Sequence, residues 1–191
     1  MPRRSSESVG GFRSSPLRVV HEWAAWALMR GDFVDPDGEQ FTRTFVVSPG
    51  AVGVVAVGEG PEHLVTFVRQ YRPTLHQTTL EIPAGMRDKE GEDPLITAQR
   101  ELREEVGLEA DRWQRLGRQI SAVGITDSMV EVFMARDLRV VPHDRHGPEE
   151  RHMTIEEFPL RDAIAMVLDG RIEDAKSVVG LLLAERILRG D

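Results

Sequence analysis

The pattern of apolar residues over the first fifty positions predicts two strands joined by a tight turn. Apolar residues are frequent over 17–28 and again over 41–47. Between these runs stands Asp35-Pro36-Asp37-Gly38, in which proline and glycine favour the backbone angles of a turn. We therefore expect an N-terminal antiparallel pair of strands. It is preceded by a basic, serine-rich segment, residues 1–16, that we expect to be a flexible tail.

Apolar periodicity predicts the remaining strands and helices in the same way. Apolar runs or strict alternation predict strands at 51–57, 63–71, 80–82, 129–135 and 153–158. Spacing of apolar residues by three and four predicts helices at 94–106, 160–169 and 173–188. Strands mixed with helices, the last of them C-terminal, indicate an α/β fold in which helices enclose a mixed β-sheet.

The predicted helix at 94–106 has three carboxylates on one arc of its surface. Glu101, Glu104 and Glu105 stand three and four positions apart, beside the apolar side that faces the core. Like charges at these spacings destabilise a helix by roughly 0.2–0.5 kcal/mol per pair. A string of this kind alone is usually a solvated surface. A hard divalent cation with oxygen ligands would give these carboxylates a reason to be grouped.

The residues around the three carboxylates favour a bound divalent cation over a solvated surface. The stretch GMRDKEGEDPLITAQRELREEVGL, residues 85–108, resembles the Nudix box, in which a glycine, a glutamate and an Arg-Glu-x-x-Glu-Glu-x-Gly core stand at set spacings. One departure is present, because six residues rather than five separate Gly85 from Glu92. We expect the extra residue to lie in the loop without disturbing the helix. The resemblance implies a Nudix α/β/α sandwich with a mixed β-sheet, preceded by N-terminal antiparallel strands.

The same resemblance implies which residues hold metal. Glu101 and Glu105 would bind Mg²⁺, or alternatively Mn²⁺, directly. Glu104 would join them or hold a metal-bound water, and the carbonyl oxygen of Ala84 is a further candidate ligand. Arg100 would orient a glutamate, for which Glu104 is the candidate. The chain is thus expected to be a metal-dependent pyrophosphohydrolase.

The segments on both sides of the box resemble ADP-ribose pyrophosphatases. Residues 68–85 are similar to the segment that precedes the box in these enzymes, and residues 169–184 are similar to their C-terminal region. The resemblance implies a nucleotide-sugar substrate, first of all ADP-ribose, hydrolysed to AMP and ribose 5-phosphate. It also implies a homodimer with contacts through residues 17–48, ahead of a Nudix domain at 49–191. A proline typical of the subfamily is replaced by Val123, so another nucleoside diphosphate sugar remains an alternative substrate.

Five further side chains are candidates for the site. The resemblance places a glutamate that handles the attacking water in the loop before 152, where Glu149 and Glu150 are the candidates. Arg69 and Arg72 are candidates for phosphate contacts. On an alternating strand they point to opposite faces, so at most one is expected to reach the substrate. Glu81 is a candidate for metal or ribose binding, and a structural role is equally open.

Composition and charge argue against several other classes of function. A formal net charge of −8 disfavours nucleic-acid binding, which needs clustered Lys and Arg. No apolar run is long enough to cross a membrane, and no apolar segment follows the basic start, so we expect neither a membrane anchor nor a secretory signal. The absence of cysteine excludes thiolate nucleophiles and cysteine-bound zinc, and it suits a cytoplasmic protein.

Two functions of other kinds stay as alternatives. A nucleotide-sensing binding module on a Nudix fold would bind without turnover, but such proteins usually have a damaged box, and here every box carboxylate is present. A hydrolase of damaged nucleoside triphosphates is the other alternative. Such chains usually lack the N-terminal strands predicted here.

Overall fold

A computed structural model describes residues 8–142 and 151–190, which form two compact units. The first unit contains the described residues up to Pro49 together with Ile120–Ser128. The second contains Gly50–Gln119 and the described residues from Met129 onwards. The sequence had predicted a continuous second domain from residue 49. Instead Ile120–Ser128 belongs with the first unit, because its backbone is hydrogen-bonded there: Val46 N donates to Ile125 O at 2.8 Å.

The first unit is an antiparallel sheet of four strands: β1 (Arg13–Ser14), β2 (Arg18–Trp23), β3 (Trp26–Val34) and β4 (Gln40–Val47). The predicted pair is confirmed as β3 and β4, which flank the predicted turn. The run 17–28, predicted as one strand, is divided into β2 and β3 at Ala24, whose φ of 46° lets the chain reverse. β1 lies inside the segment 1–16 that was predicted to be a flexible tail. It forms a strand because Arg13 and Ser14 pair with the end of β3.

The second unit contains a mixed sheet of seven strands: β5 (Ala51–Val57), β6 (Leu64–Arg72), β7 (Gln77–Glu81), β8 (Ala84–Met86), β9 (Leu108–Ile120), β10 (Met129–Val140) and β11 (Thr154–Pro159). β5 and β10 are parallel, and the other pairs for which the register is defined are antiparallel. β5 and β6 pair only at Ala56–Val57 and then diverge. In the gap β7 pairs with β6 and β8 with β5, so the chain crosses between the two strands at Ile82-Pro83.

Three helices cover the sheet of the second unit: α1 (Pro94–Val106), α2 (Leu160–Leu168) and α3 (Ala175–Arg189). Alternate residues of β5 face opposite sides. Val52 and Val54 pack in one apolar cluster with α1, while Val55 and Val57 pack in the other with α2 and α3. The predicted α/β fold with helices on both faces of a mixed sheet is confirmed. No helix in the described part of the chain is long and apolar enough to cross a membrane.

The predicted helix at 94–106 is confirmed with the same bounds. The carboxylate of Asp93 accepts a hydrogen bond from Leu95 N at 2.8 Å, which caps the first turn. Gly107 ends the helix with a φ of 66°, a left-handed conformation in which glycine is the least strained residue. These two caps fix where the carboxylates of α1 stand relative to the strands beneath.

Candidate active site

The carboxylates of Glu101 and Glu105 meet the same short segment of backbone. Glu105 is only 5% exposed, and its Oε2 accepts a hydrogen bond from Ala84 N at 2.9 Å. Glu101 lies one turn earlier on α1, with its carboxylate against Gly85. The loop that enters the box and the helix that follows it are thus held together by the side chains that the sequence predicted to bind metal.

Gly85 leaves the space in which Glu101 lies. A Cβ placed on Gly85 would stand 2.0 Å from Cδ of Glu101, a separation that real Cβ atoms do not reach. A residue with a side chain at this position would therefore displace the carboxylate. This is the physical reason for the glycine at the start of the box, and it does not depend on a positive φ.

Arg100 lies among the acidic side chains of the box. Its Nη1 is 2.7 Å from Oε1 of Glu101 and 3.0 Å from Oε2 of Glu104, and its Nη2 is 3.5 Å from Oε2 of Glu92. Burial lowers the pKa of Arg100, but Glu101, Glu104 and Glu92 outweigh burial and raise the pKa above its usual value. Arg100 is therefore placed to orient the box carboxylates and to offset their mutual repulsion.

Glu92 links the loop to the start of α1. Its Oε2 accepts a hydrogen bond from Thr97 Oγ1 at 2.8 Å, and this bond, more than the charge of Arg100, lowers the pKa of Glu92. Thr97 is fully buried. The glutamate of the box therefore fixes the loop against the first turn of the helix.

The residues on this face suit a hard divalent cation. Carboxylate and carbonyl oxygens are the ligands such ions prefer, and Glu101 and Glu105 converge on Ala84–Gly85, where the absence of a Cβ leaves room. Within residues 8–142 and 151–190, however, no three acidic or histidine side chains are already grouped closely enough to hold an ion. Arg100 and Ala84 N hold the carboxylates in their present positions, so they would have to turn towards a bound metal.

Beside the box loop, Arg72 and Glu81 form a two-pronged ion pair. Arg72 Nε and Nη2 donate to the two carboxylate oxygens of Glu81, each at 2.7 Å. Thr79 Oγ1 and Lys176 Nζ also donate to this carboxylate. Burial raises the pKa of Glu81, but the bonds from Arg72 and the charge of Lys176 outweigh burial and lower the pKa to about 2.

In this arrangement Glu81 is held by other side chains of the protein at both carboxylate oxygens. Its side chain is 3% exposed, and both oxygens already accept hydrogen bonds. Sequence reasoning missed Lys176 and Thr79. Thr79 had a signal, since it stands two positions before Glu81 on the same strand face. Lys176 had none.

Arg69 points to the other face of β6, as the alternation predicted. Its Nε donates to Oε1 of Glu156 at 2.5 Å and its Nη2 donates to Oε2 at 3.1 Å, which joins β6 to β11. The hydrogen bond from Arg69 to Glu156 raises the pKa of the guanidinium. Both arginines are therefore in ion pairs, and they belong to different faces of the sheet.

Glu149 and Glu150 fall outside the described residues. Val123 is 81% exposed, in a turn of the first unit in which Ile125 N donates to Ala122 O at 3.0 Å.

Known proteins resemble the chain over nearly its whole length. The model of the NUDIX domain matches residues 47–179. The ADP-ribose pyrophosphatase of Mycobacterium tuberculosis is 37% identical over 179 residues, 94% of this chain and 86% of that protein. The ADP-ribose pyrophosphatase of Bacillus subtilis is 36% identical over 146 residues, 76% of this chain and 77% of that protein.

A solved structure agrees with the fold. The crystal structure of an ADP compounds hydrolase superposes with a TM-score of 0.81 at 22% identity and covers 97% of this chain and 98% of that chain. At that identity the likeness concerns the fold alone. The family match includes the whole stretch 85–108 and extends across the sheet and all three helices up to residue 179. Sequence, fold and the convergence of Glu101 and Glu105 on the box loop agree: this chain belongs to the Nudix hydrolase family.

Proposed function

We propose that this protein hydrolyses the pyrophosphate bond of ADP-ribose and releases AMP and ribose 5-phosphate. The observation that supports this proposal best is the convergence of Glu101 and Glu105 on Ala84–Gly85. The relatives named ADP-ribose pyrophosphatase, which align with most of the chain, support the choice of substrate.

The metal face of the site is α1 with the loop before it. We assign Glu101 and Glu105 as direct ligands of Mg²⁺ or Mn²⁺, with the carbonyl oxygen of Ala84 and the carboxylate of Glu104 as further ligands. When bound, such ions neutralise phosphate charge and make a water molecule a better nucleophile at neutral pH. Arg100 pairs with Glu101 and Glu104 and offsets their negative charge while the two carboxylates turn towards the ion.

Arg72, rather than Arg69, is our candidate for the phosphate contact. Arg72 is paired with Glu81, three residues before Ala84, whose N–H donates to Glu105, so this guanidinium is connected to the proposed metal face through the segment 81–84. Arg69 faces Glu156 on the other side of the sheet. Glu81 then serves the substrate indirectly, by holding Arg72. It accepts hydrogen bonds from Nε and Nη2 of Arg72, and Nη1 takes no part in these two bonds.

We further propose that Glu149 or Glu150 orients the attacking water. In-line attack on phosphorus needs a water aimed by an acceptor near the metal. The Glu149→Gln and Glu150→Gln variants test this separately. One of them should lose at least about a hundredfold in kcat, the range typical of general base catalysis. Wild-type kcat in both variants would remove both residues from the mechanism.

The first test of the function is AMP release from ADP-ribose with Mg²⁺ present and with Mg²⁺ removed by a chelator. Wild-type protein should require the ion, and the Glu105→Gln variant should lose activity with its fold intact, since glutamine keeps an oxygen that can accept from Ala84 N. Glu185→Gln is the matched control, because Glu185 lies on α3 and its ion pair is with Arg189 on the same helix. Undiminished hydrolysis by Glu105→Gln would contradict the assignment.

Another nucleoside diphosphate sugar is the alternative substrate, favoured by Val123 in place of the subfamily proline. A panel of nucleotide sugars separates the two, and no AMP from ADP-ribose beside fast turnover of another member would overturn the first choice. Binding without turnover under any divalent ion would instead favour a sensor. We also expect a cytoplasmic homodimer, and light scattering after size exclusion would measure its mass.

A further inference from the structure

Lys176 is an unusual residue for its position. The chain contains only two lysines among its 24 basic Lys and Arg residues, so arginine is its ordinary cation. Lys176 is also the second residue of α3, where the helix dipole disfavours positive charge. A cation placed against the helix dipole indicates that its surroundings require positive charge.

The surroundings of Lys176 are two carboxylates. Its Nζ contacts Oε2 of Glu81 and lies 3.0 Å from Oδ2 of Asp174. Asp174 is also the N-cap of α3, where its carboxylate accepts hydrogen bonds from the backbone N–H and the hydroxyl of Ser177. The negative charge of Asp174 is therefore shared between Lys176 and the N-terminus of α3. The side chain of Lys176 is 11% exposed. Its ammonium group is therefore largely covered and faces these two carboxylates.

Glu81 consequently lies between two cations of different depth. Lys176 binds its inner side, while Arg72, whose side chain is 40% exposed, holds the same carboxylate from the outside. Arg72 and Glu81 alone would form a neutral pair. With Asp174, which also contacts Lys176, the four side chains have a net charge of zero, and without Lys176 they would have a net charge of −1. The exposed end of this group is the guanidinium of Arg72.

We propose that Lys176 is a positioning residue for substrate recognition: it saturates the inner side of Glu81, so that Glu81 can hold Arg72 in place without cancelling its charge towards a phosphate. The inference rests on the proposed function, in which Arg72 contacts the pyrophosphate. Lys176 thus acts through Glu81 and Arg72 and touches no reacting atom.

The test compares Lys176→Met with Lys176→Arg and with Arg171→Met. Arg171 is a matched control, because it precedes α3 closely in sequence and its ion pair is with the exposed Asp169. In Lys176→Met the KM for ADP-ribose should rise about tenfold while kcat stays within about twofold. Lys176→Arg should restore most of the loss, and Arg171→Met should match the wild type. If Lys176→Met does not fold, Lys176→Gln replaces it.

A double-mutant cycle separates positioning from a general loss of charge or structure. On the Glu81→Gln background, Lys176→Met should change KM by less than about twofold, because the carboxylate through which it acts is gone. A tenfold effect that persists on that background would overturn the inference. So would an unchanged KM in Lys176→Met, or an equal loss in Arg171→Met.

Isothermal titration calorimetry of ADP-ribose binding in the presence of EDTA distinguishes failure of this inference from failure of the proposed function. Suppose that the wild type binds ADP-ribose, that Lys176→Met binds it more weakly, and that no hydrolysis follows when Mg²⁺ is added. The positioning role would then stand, and the proposed reaction would be wrong. Hydrolysis with wild-type binding in Lys176→Met would leave the reaction and remove the role. A wild type without affinity for ADP-ribose would overturn both.

Discussion

The carboxylate of Glu101 lies where a side chain on Gly85 would begin. A Cβ at residue 85 would be 2.0 Å from Cδ and 2.2 Å from Oε2 of Glu101. The atoms it meets are the far end of a flexible side chain, so an added methyl group can displace the carboxylate without unfolding the loop. The glycine therefore protects the position of a proposed metal ligand more than it protects stability.

Gly85→Ala should accordingly separate function from folding. We expect its Tm to stay within about 4 °C of the wild type, since the expected change in stability is below about 1 kcal/mol. Activity with Mg²⁺ should fall about tenfold or more, with a weaker apparent affinity for the ion, because small misplacements of catalytic groups are costly. Gly117→Ala is the control, as its added Cβ would be 3.6 Å from its neighbour. Equal activity in both variants would contradict this reading of the box glycine.

Ser177→Ala should destabilise the protein. Ser177 is fully buried, and its hydroxyl accepts from Ile82 N at 2.9 Å while it donates to Asp174. Alanine leaves the Ile82 N–H buried without its partner, which costs about 1–3 kcal/mol. Urea unfolding measures this loss. Ser15→Ala, an exposed serine whose hydroxyl bonds to a carbonyl, should change the free energy of unfolding by less than about 0.5 kcal/mol.

Glu81 should make the protein sensitive to acid. Its pKa in the folded protein is about 2, below the ordinary 4.5, so the folded state binds this proton more weakly than the unfolded state. The resulting stabilisation is complete above pH 4.5 and is lost as pH falls towards 2. Its size is about 3 kcal/mol, from 1.36 kcal/mol per pKa unit.

Urea unfolding between pH 2.5 and pH 7 measures the contribution of Glu81. Glu81→Gln should be less stable at pH 7, because Arg72 and Lys176 lose their shared partner. Its stability should also change less with pH in the acid range. Wild type and variant with parallel pH profiles would refute the assignment of this slope to Glu81.

Gly180→Ala should be destabilising although alanine favours helices. A Cβ at this position of α3 would lie 2.9 Å from Val55 Cγ2 and 3.0 Å from Val132 Cγ1. Alanine gains about 1 kcal/mol in helix propensity over glycine. Overpacking a buried interface costs about 1–3 kcal/mol, so we expect a net loss near 1 kcal/mol by urea unfolding. A more stable variant would mean that α3 moves away from the sheet at little cost.

Local signals predicted α1 and most strands, but the sequence did not reveal β9. Residues 108–120 are rich in charges, and these become compatible with a strand only once β10 lies alongside. Arg115 then pairs with Glu131, and Asp137 pairs with Arg112. A cross-strand ion pair has no local pattern, because its partners are distant in sequence.

The same limit applied to the site. The box glutamates were located from their spacing on one helix, whereas the bond from Lys176 to Glu81 joins residues 95 positions apart. The division of 17–28 at Ala24 was missed for another reason: an alanine with positive φ has no turn signature in the sequence.

β7 and β8 lie between β5 and β6, and this arrangement determines where the box can change in length. Ala84–Met86 is fixed by pairing with β5, and the chain is fixed again at the capped start of α1. Residues 88–91 lie between these two supports, and Glu92 and Asp93 anchor the end of the loop to α1. A sixth spacer residue between Gly85 and Glu92 can therefore be accommodated, and this loop is a suitable place to insert a reporter residue without shifting the carboxylates on either side.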